Sequence, residues 1–110
     1  MSFAKDYRYG ENKVSLPMVD GEVQFLAYNK KETRHEITFR FINAPTAGTV
    51  TVACRPYGSD EFQDIDLLTA VSLTEMIFTE VAGTVEEFKL TFAGVTAPAE
   101  SFAIMTDSAS

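Results

Sequence analysis

The sequence has a single cysteine, a single histidine and no tryptophan among its 110 residues. One cysteine, Cys54, cannot form an intrachain disulfide. Together with His35 it cannot supply the usual zinc ligand set without added carboxylates. The sequence therefore predicts no disulfide, no metal centre and no cofactor, and without tryptophan it lacks the commonest flat platform for a sugar ring.

Long hydrophobic runs are also missing from the sequence. No stretch approaches the length of a membrane span, and residues 1–10 hold no apolar run of the signal-peptide type. We therefore expect synthesis and folding in a reducing cytoplasm, with no membrane partner.

Basic residues are few, with nine Lys and Arg against sixteen Asp and Glu, for a net charge of -7. Such a surface repels the phosphate backbones of nucleic acids and anionic membranes. We expect no nucleic-acid partner, and the acidity is accounted for by solubility.

The chain is long enough for one domain with its own core. Its hydrophobic fraction is 45%, and nine Phe and four Tyr supply large apolar side chains. The polar start indicates an N-terminal arm over residues 1–12, followed by a single domain over residues 13–110.

Three segments alternate apolar and polar residues with a period of two, which is typical of half-buried strands. They are His35–Phe41, Gly48–Arg55 and Thr84–Ala93. In the first, for example, Ile37 and Phe39 point to one face and Thr38 points to the other.

Weaker patterns predict further strands. Val14–Val19 contains Pro17 and is predicted to be an edge strand, because proline cannot donate to a ladder. Asp20-Gly21 predicts a hairpin turn leading into Glu22–Tyr28.

Later in the chain, Met76–Val81 and Ser101–Thr106 complete the predicted strands, and Glu61–Leu68 is expected to form an irregular crossover between sheets. Gly94–Glu100 is predicted to be a loop and Asp107–Ser110 a frayed polar tail.

The count is seven to eight short strands, with no convincing helix longer than two turns. This favours an all-β fold, an antiparallel β-sandwich of immunoglobulin-like or jelly-roll-like type. A closed barrel is the alternative that the pattern leaves open.

Reactive groups show no catalytic pattern. His35 stands at a strand start and is predicted to be an ordinary surface residue without a positioned partner. Cys54 is predicted to be a buried, inert thiol, because its neighbour Arg55 faces the opposite side of the strand. Since no nucleophile lies in a recognisable pair with a base, we do not expect an enzyme.

Four acidic residues cluster within a short stretch, and calcium favours carboxylate oxygens. They are Asp60, Glu61, Asp64 and Asp66. Their spacing does not match an EF-hand loop, and turn-forming, solvated acids explain them better.

Two groups of aromatic residues are candidates for binding. The candidate interface lies in the arm, since Tyr and Arg are enriched at protein interfaces; it consists of Phe3, Tyr7, Arg8 and Tyr9. The candidate ligand loop consists of Tyr57 and Phe62, at the Pro56–Glu61 turn, and a glycan is the ligand considered there.

Three stretches together resemble small β-sandwich structural proteins of tailed bacteriophages. They read GTVTVACRPYGSDEFQDI over Gly48–Ile65, FKLTFAGV over Phe88–Val95 and SFAIMTD over Ser101–Asp107. The resemblance implies a non-enzymatic virion component, such as a tail, baseplate, neck or head-decoration subunit. It also implies assembly in the host cytoplasm into homo-oligomers and with other virion proteins.

The alternative function is a β-sandwich module that binds carbohydrate or a host surface. An enzyme is the third possibility weighed, and no active site comes with the resemblance.

Overall fold

The computed structural model describes residues 11–27, 32–65, 68–74 and 77–109. These residues form nine β-strands and no α-helix. In chain order the strands are β1 (Glu11–Pro17), β2 (Gly21–Leu26), β3 (Arg34–Ile42), β4 (Ala47–Arg55), β5 (Gln63–Asp64), β6 (Val71–Ser72), β7 (Ile77–Ala82), β8 (Glu87–Thr96) and β9 (Phe102–Ala109).

The strands form two antiparallel sheets. Sheet A has the order β1-β9-β3-β7, and sheet B has the order β2-β8-β4-β5, with β6 also paired to β4. This confirms the predicted all-β antiparallel sandwich. The strand count exceeds the prediction because β5 and β6 are two-residue bridges on β4, too short to leave an alternating pattern.

The core lies between the two sheets and takes alternate side chains from each strand, as the period-two segments predict. Its buried side chains are Leu16, Met18, Ile37, Phe39, Val50, Val52, Leu68, Leu73, Val85, Phe88, Leu90, Phe92, Ala103 and Met105. The two pairs of central strands, β9 with β3 and β8 with β4, therefore supply much of the apolar interior.

The predicted hairpin at Asp20-Gly21 is wrong. β1 pairs with β9 in sheet A, whereas β2 pairs with β8 in sheet B, so the turn passes between the sheets. A two-residue hairpin would have placed Pro17 in a hydrogen-bonded pair opposite Gln24, where proline has no N–H to donate. The Asp20 carboxylate instead accepts a hydrogen bond from the Val95 N–H at 2.8 Å.

Pro17 does lie on an edge strand, as predicted. The N–H of the next residue, Met18, donates to the Ser101 carbonyl at 3.2 Å. Because backbone groups alternate in direction along a strand, the Pro17 nitrogen faces the open side of β1. The strand also includes Glu11 and Asn12, which the sequence had assigned to the arm.

Gly48 marks an irregularity in β4, where the register against β8 shifts between Ala47 and Thr49. Its φ is +124°, and a Cβ there would lie 2.9 Å from the Val95 Cα. Only glycine fits this close approach. The Gly48 carbonyl accepts a hydrogen bond from Leu73 at 3.0 Å.

The two late segments differ from the prediction. β8 continues to Thr96, through the start of the predicted loop, and β9 continues to Ala109. Asp107, expected in a frayed tail, is buried in the ladder between β9 and β3. Its polar character suggested a solvated end, whereas its side chain has a partner inside the sandwich.

Candidate functional site

His35 is completely buried, at 0% exposure, so the prediction of a surface residue is wrong. It lies on β3 with Ile37 and Phe39, and all three side chains point into the core. The signal was present in the sequence, because residues two apart on a strand share a face.

The partner of His35 is Asp107 on β9, itself 1% exposed. The His35 Nδ1 and Asp107 Oδ1 atoms lie 2.8 Å apart. In the register of β3 against β9, Asp107 lies opposite Ile37 and His35 opposite Ala109, so the pair is a diagonal one on the inner face. When the carboxylate is ionised it only accepts hydrogen bonds, and the imidazole Nδ1–H is then the donor in this contact.

The rest of the imidazole has apolar surroundings. The Phe88 ring, from sheet B, meets it edge-on with the centroids 6.2 Å apart. The Nε2 atom is buried and has no hydrogen-bond partner among the residues that the structure describes. With both side chains this deeply buried, the pair links β3 to β9 and does not face a substrate.

At the same end of the sandwich, Arg55 holds the turn that follows β4. Its guanidinium donates to the Ser59 carbonyl at 2.9 Å, to Glu86 at 3.1 Å and to Glu87 at 3.0 Å. The hydrogen bond to Glu87 is the largest cause that raises the pKa of Arg55 above its ordinary value. The Pro56–Glu61 turn is thereby tied to the start of β8.

Tyr57 and Phe62 differ in what they offer a ligand. Tyr57 is 46% exposed on the turn, and its N–H donates to the Thr84 hydroxyl at 3.3 Å. Phe62 is half-buried, with the Lys89 ammonium 4.7 Å and the Arg55 guanidinium 5.9 Å from its ring centroid. These are cation–π distances, so Phe62 already has protein partners, and the ligand loop stays a prediction.

The other predicted groups are only partly in view. The candidate interface residues of the arm, Phe3, Tyr7, Arg8 and Tyr9, lie outside the described residues, as does Asp66 of the acidic cluster. The remaining acids of that cluster, Asp60, Glu61 and Asp64, are exposed. Within the described part of the chain, no three metal-ligating side chains come together.

Cys54 lies on β4 opposite Phe88 of β8 and is half-buried. Burial raises the pKa of its thiol above the ordinary value. A raised pKa lowers the thiolate fraction at neutral pH, and the thiolate is the reactive form. Cys54 is therefore half-buried, not fully buried as predicted, and it packs against the core.

In the described residues, no helix has the length and hydrophobicity that a membrane span requires.

No protein-family model matches the chain, and no curated protein matches it. Among solved structures, it is similar to Bacillus endospore appendages described as disulfide-linked pili, at 11% identity and a TM-score of 0.37, covering 90% of this chain and 86% of that one. IMPa from Pseudomonas aeruginosa, in complex with an O-glycopeptide, matches at 11% identity and a TM-score of 0.41, over 93% of this chain and 13% of that one.

A structure of infectious bursal disease virus, Gt strain, matches at 8% identity and a TM-score of 0.30, over 90% of this chain and 33% of the viral chain. The chain thus spans a small part of the second and third of these proteins. With TM-scores below 0.5, these likenesses carry no functional argument.

Proposed function

We propose that this protein is a non-enzymatic structural subunit of a tailed-phage virion, which acts by assembling with copies of itself and with other virion proteins. The observation that carries the proposal is the set of open sheet edges. In the described part of the chain, β1, β2 and β7 each pair with a neighbour on one side only. An open edge presents unpaired N–H and C=O groups and is a template for another chain.

The chemistry of the described surface supports assembly over catalysis. Two of its arginines are engaged with acidic side chains: Arg55 with Glu86 and Glu87, and Arg34 with Glu80 at 2.9 Å. The one His–Asp pair is enclosed in the core. A catalytic group has to reach the substrate proton within hydrogen-bond distance, and this pair has no such access.

The resemblance to phage structural proteins supplies the finer part of the proposal. Its three stretches fall on β4 and its following turn, on β8 and on β9, which include three of the four central strands of the sandwich. A virion subunit is made in the host cytoplasm and needs neither a disulfide nor a signal segment.

Mass photometry of the full chain over a range of concentrations tests the assembly role. A defined oligomer supports the proposal, and a monomer at every concentration contradicts it. Gene context tests the finer part: neighbouring portal, tail-tube or baseplate genes support a virion subunit, and neighbours from a metabolic operon contradict it.

The arm is the second element to test. Removal of residues 1–10 is expected to lower the assembly mass if Phe3, Tyr7, Arg8 and Tyr9 contact a neighbouring subunit. An unchanged mass removes the arm from the proposal and leaves the sheet edges as the contacts.

A carbohydrate-binding module is the second candidate function, and the exposure of Tyr57 favours it. A glycan-array signal that is lost on Tyr57→Ala and kept on Val19→Ala, an exposed apolar control, would support this function. Equal loss or no signal with the unmodified chain would contradict it.

A further inference from the structure

The open side of β2 can be read from one hydrogen bond. The Ala27 N–H donates to the Glu86 carbonyl of the strand segment beside it at 2.9 Å. Backbone groups alternate in direction along a strand, so Val23 and Phe25 also direct theirs toward β8. Glu22, Gln24 and Leu26 therefore direct their N–H and C=O groups to the open edge.

Two exposed apolar residues flank this edge, which itself carries the polar side chains of Glu22 and Gln24. Val19 and Leu26 are 60% and 61% exposed, and they are two of the three exposed large hydrophobic residues in the described chain. One precedes β2 and the other ends it. On the inner face, Val23 and Phe25 pack on the core but remain only half-buried, and within the described residues β8 is the one strand beside β2.

We infer that the β2 edge is a self-complementary interface that joins two copies of this chain, with the two β2 strands antiparallel about a two-fold axis. This rests on the proposed assembly function and specifies which edge performs it. In the register that the strand favours, Gln24 lies opposite Gln24 of the second copy, and Glu22 lies opposite Leu26 of the second copy. Sheet B then continues from one copy into the other.

Three physical requirements select this register. Residues with open backbone groups must face each other, which pairs Glu22, Gln24 and Leu26 among themselves. Inward side chains must face inward side chains, and a one-residue slip would reverse that. Here Val23 meets Phe25 of the second copy and covers it.

Charge supplies the third requirement. In the favoured register Glu22 faces Leu26 of the second copy and does not face the second copy's Glu22. Like charges directly opposite each other are destabilising. The next permitted register places Leu26 opposite Asp20, which precedes the strand, and leaves less of β2 paired.

The other open edges are less suited to self-pairing. Pro17 directs its nitrogen to the open side of β1, where no N–H can be offered. Among the described side chains of β7, residues 80–82, none is an exposed large hydrophobic residue, whereas Val19 and Leu26 flank β2.

Cysteine cross-linking tests the interface directly. In a Cys54→Ala background, Gln24→Cys places two thiols on hydrogen-bonded pair positions, where Cα atoms lie about 5.5 Å apart, within disulfide range. Ser15→Cys is the matched control, because Ser15 is exposed and its N–H faces the open side of β1. We expect a disulfide-linked dimer from Gln24→Cys and little from Ser15→Cys. Equal cross-linking of both would overturn the inference.

A charge swap tests the register. Leu26→Glu creates two facing Glu pairs across the axis, and we expect the dimer dissociation constant to rise about tenfold. Adding Glu22→Lys turns both pairs into opposite charges and is expected to restore the dimer. A merely structural effect of Leu26→Glu would not be rescued in this way, and circular dichroism checks that both variants fold.

Each outcome separates this inference from the proposed function. If the unmodified chain is monomeric at all concentrations, the proposed function fails. If it assembles but Gln24→Cys does not cross-link and Leu26→Glu does not weaken assembly, the β2 interface is wrong and the assembly function stands.

Discussion

The two sheets hold their polar side chains in different places: sheet A in the core and sheet B at its rim. Sheet A buries His35 and Asp107 on its inner face. Sheet B keeps its inner face apolar and holds Arg55, Glu86 and Glu87 at its rim, where their side chains are 19–23% exposed. The same kinds of group therefore sit in two different dielectric environments within one domain.

The difference shows where a polar pair matters for stability. A pair in the interior is out of reach of water, so the loss of one partner removes a hydrogen bond that solvent cannot replace. The pair at the rim is only part-buried, and Arg55 keeps other partners there when one carboxylate is lost, so we expect a smaller effect. The polar pair of sheet A and the apolar face of sheet B meet where the Phe88 ring contacts the His35 ring. Variants of these residues and of the rim therefore compare the three environments.

The largest loss of stability is expected on the apolar inner face of sheet B. Phe88→Ala removes a fully buried ring and should lower the free energy of unfolding by about 4 kcal/mol. Urea denaturation followed by circular dichroism measures it. A loss below that of His35→Leu would mean that the polar pair, and not the ring, dominates this contact.

The next effect is expected from the buried pair. His35→Leu deprives the Asp107 carboxylate of its imidazole partner and should cost about 3 kcal/mol. Adding Asp107→Leu should recover part of that loss, because an apolar pair of similar volume can replace a buried polar one. If the double variant is less stable than the single one, the carboxylate has a stabilising role independent of His35.

The reactivity of Cys54 measures the burial of the inner face of sheet B without any substitution. Because burial raises its pKa, alkylation by iodoacetamide at pH 8 should be slower in the folded chain than in the urea-unfolded chain at the same pH. The difference should narrow as the pH rises through the folded-state pKa. Equal rates at pH 8 would contradict the burial of this thiol.

The smallest effect is expected at the rim. Glu87→Gln keeps the side-chain shape, and Arg55 retains Glu86 and the Ser59 carbonyl. Thermal unfolding should show a smaller loss than either interior variant, and the loss should shrink further at high salt, which screens a part-buried pair more than one in the core. A loss as large as that of His35→Leu would remove the contrast between the sheets.

Much of the fold follows from the sequence, because the period-two alternation of β3, β4 and β8 fixes which side chains face inward. The same alternation placed His35 on the inner side with Ile37 and Phe39. Polarity alone predicts a surface position for a lone histidine, and here the strand position of His35 decides its burial.

The partner of His35 could not be found locally. His35 and Asp107 are 72 positions apart, and the register of β3 against β9 brings them together. The pairing of the strands on either side of the Asp20-Gly21 turn is likewise set by distant strands, β9 and β8. The missing N–H of Pro17 is the one local feature that disfavours a hairpin there. The two-residue strands β5 and β6 carry no pattern of their own.

Gly48 has a consequence for how far sheet B can extend. The shifted register at this residue and the short strands β5 and β6 occupy the far side of β4, so that side offers no long straight edge. Bulges and short edge strands are among the means by which proteins block further pairing. A dimer joined through β2 would therefore stop at two copies. The β4 side of each sheet B, which carries β5 and β6, offers no long strand edge to a third chain.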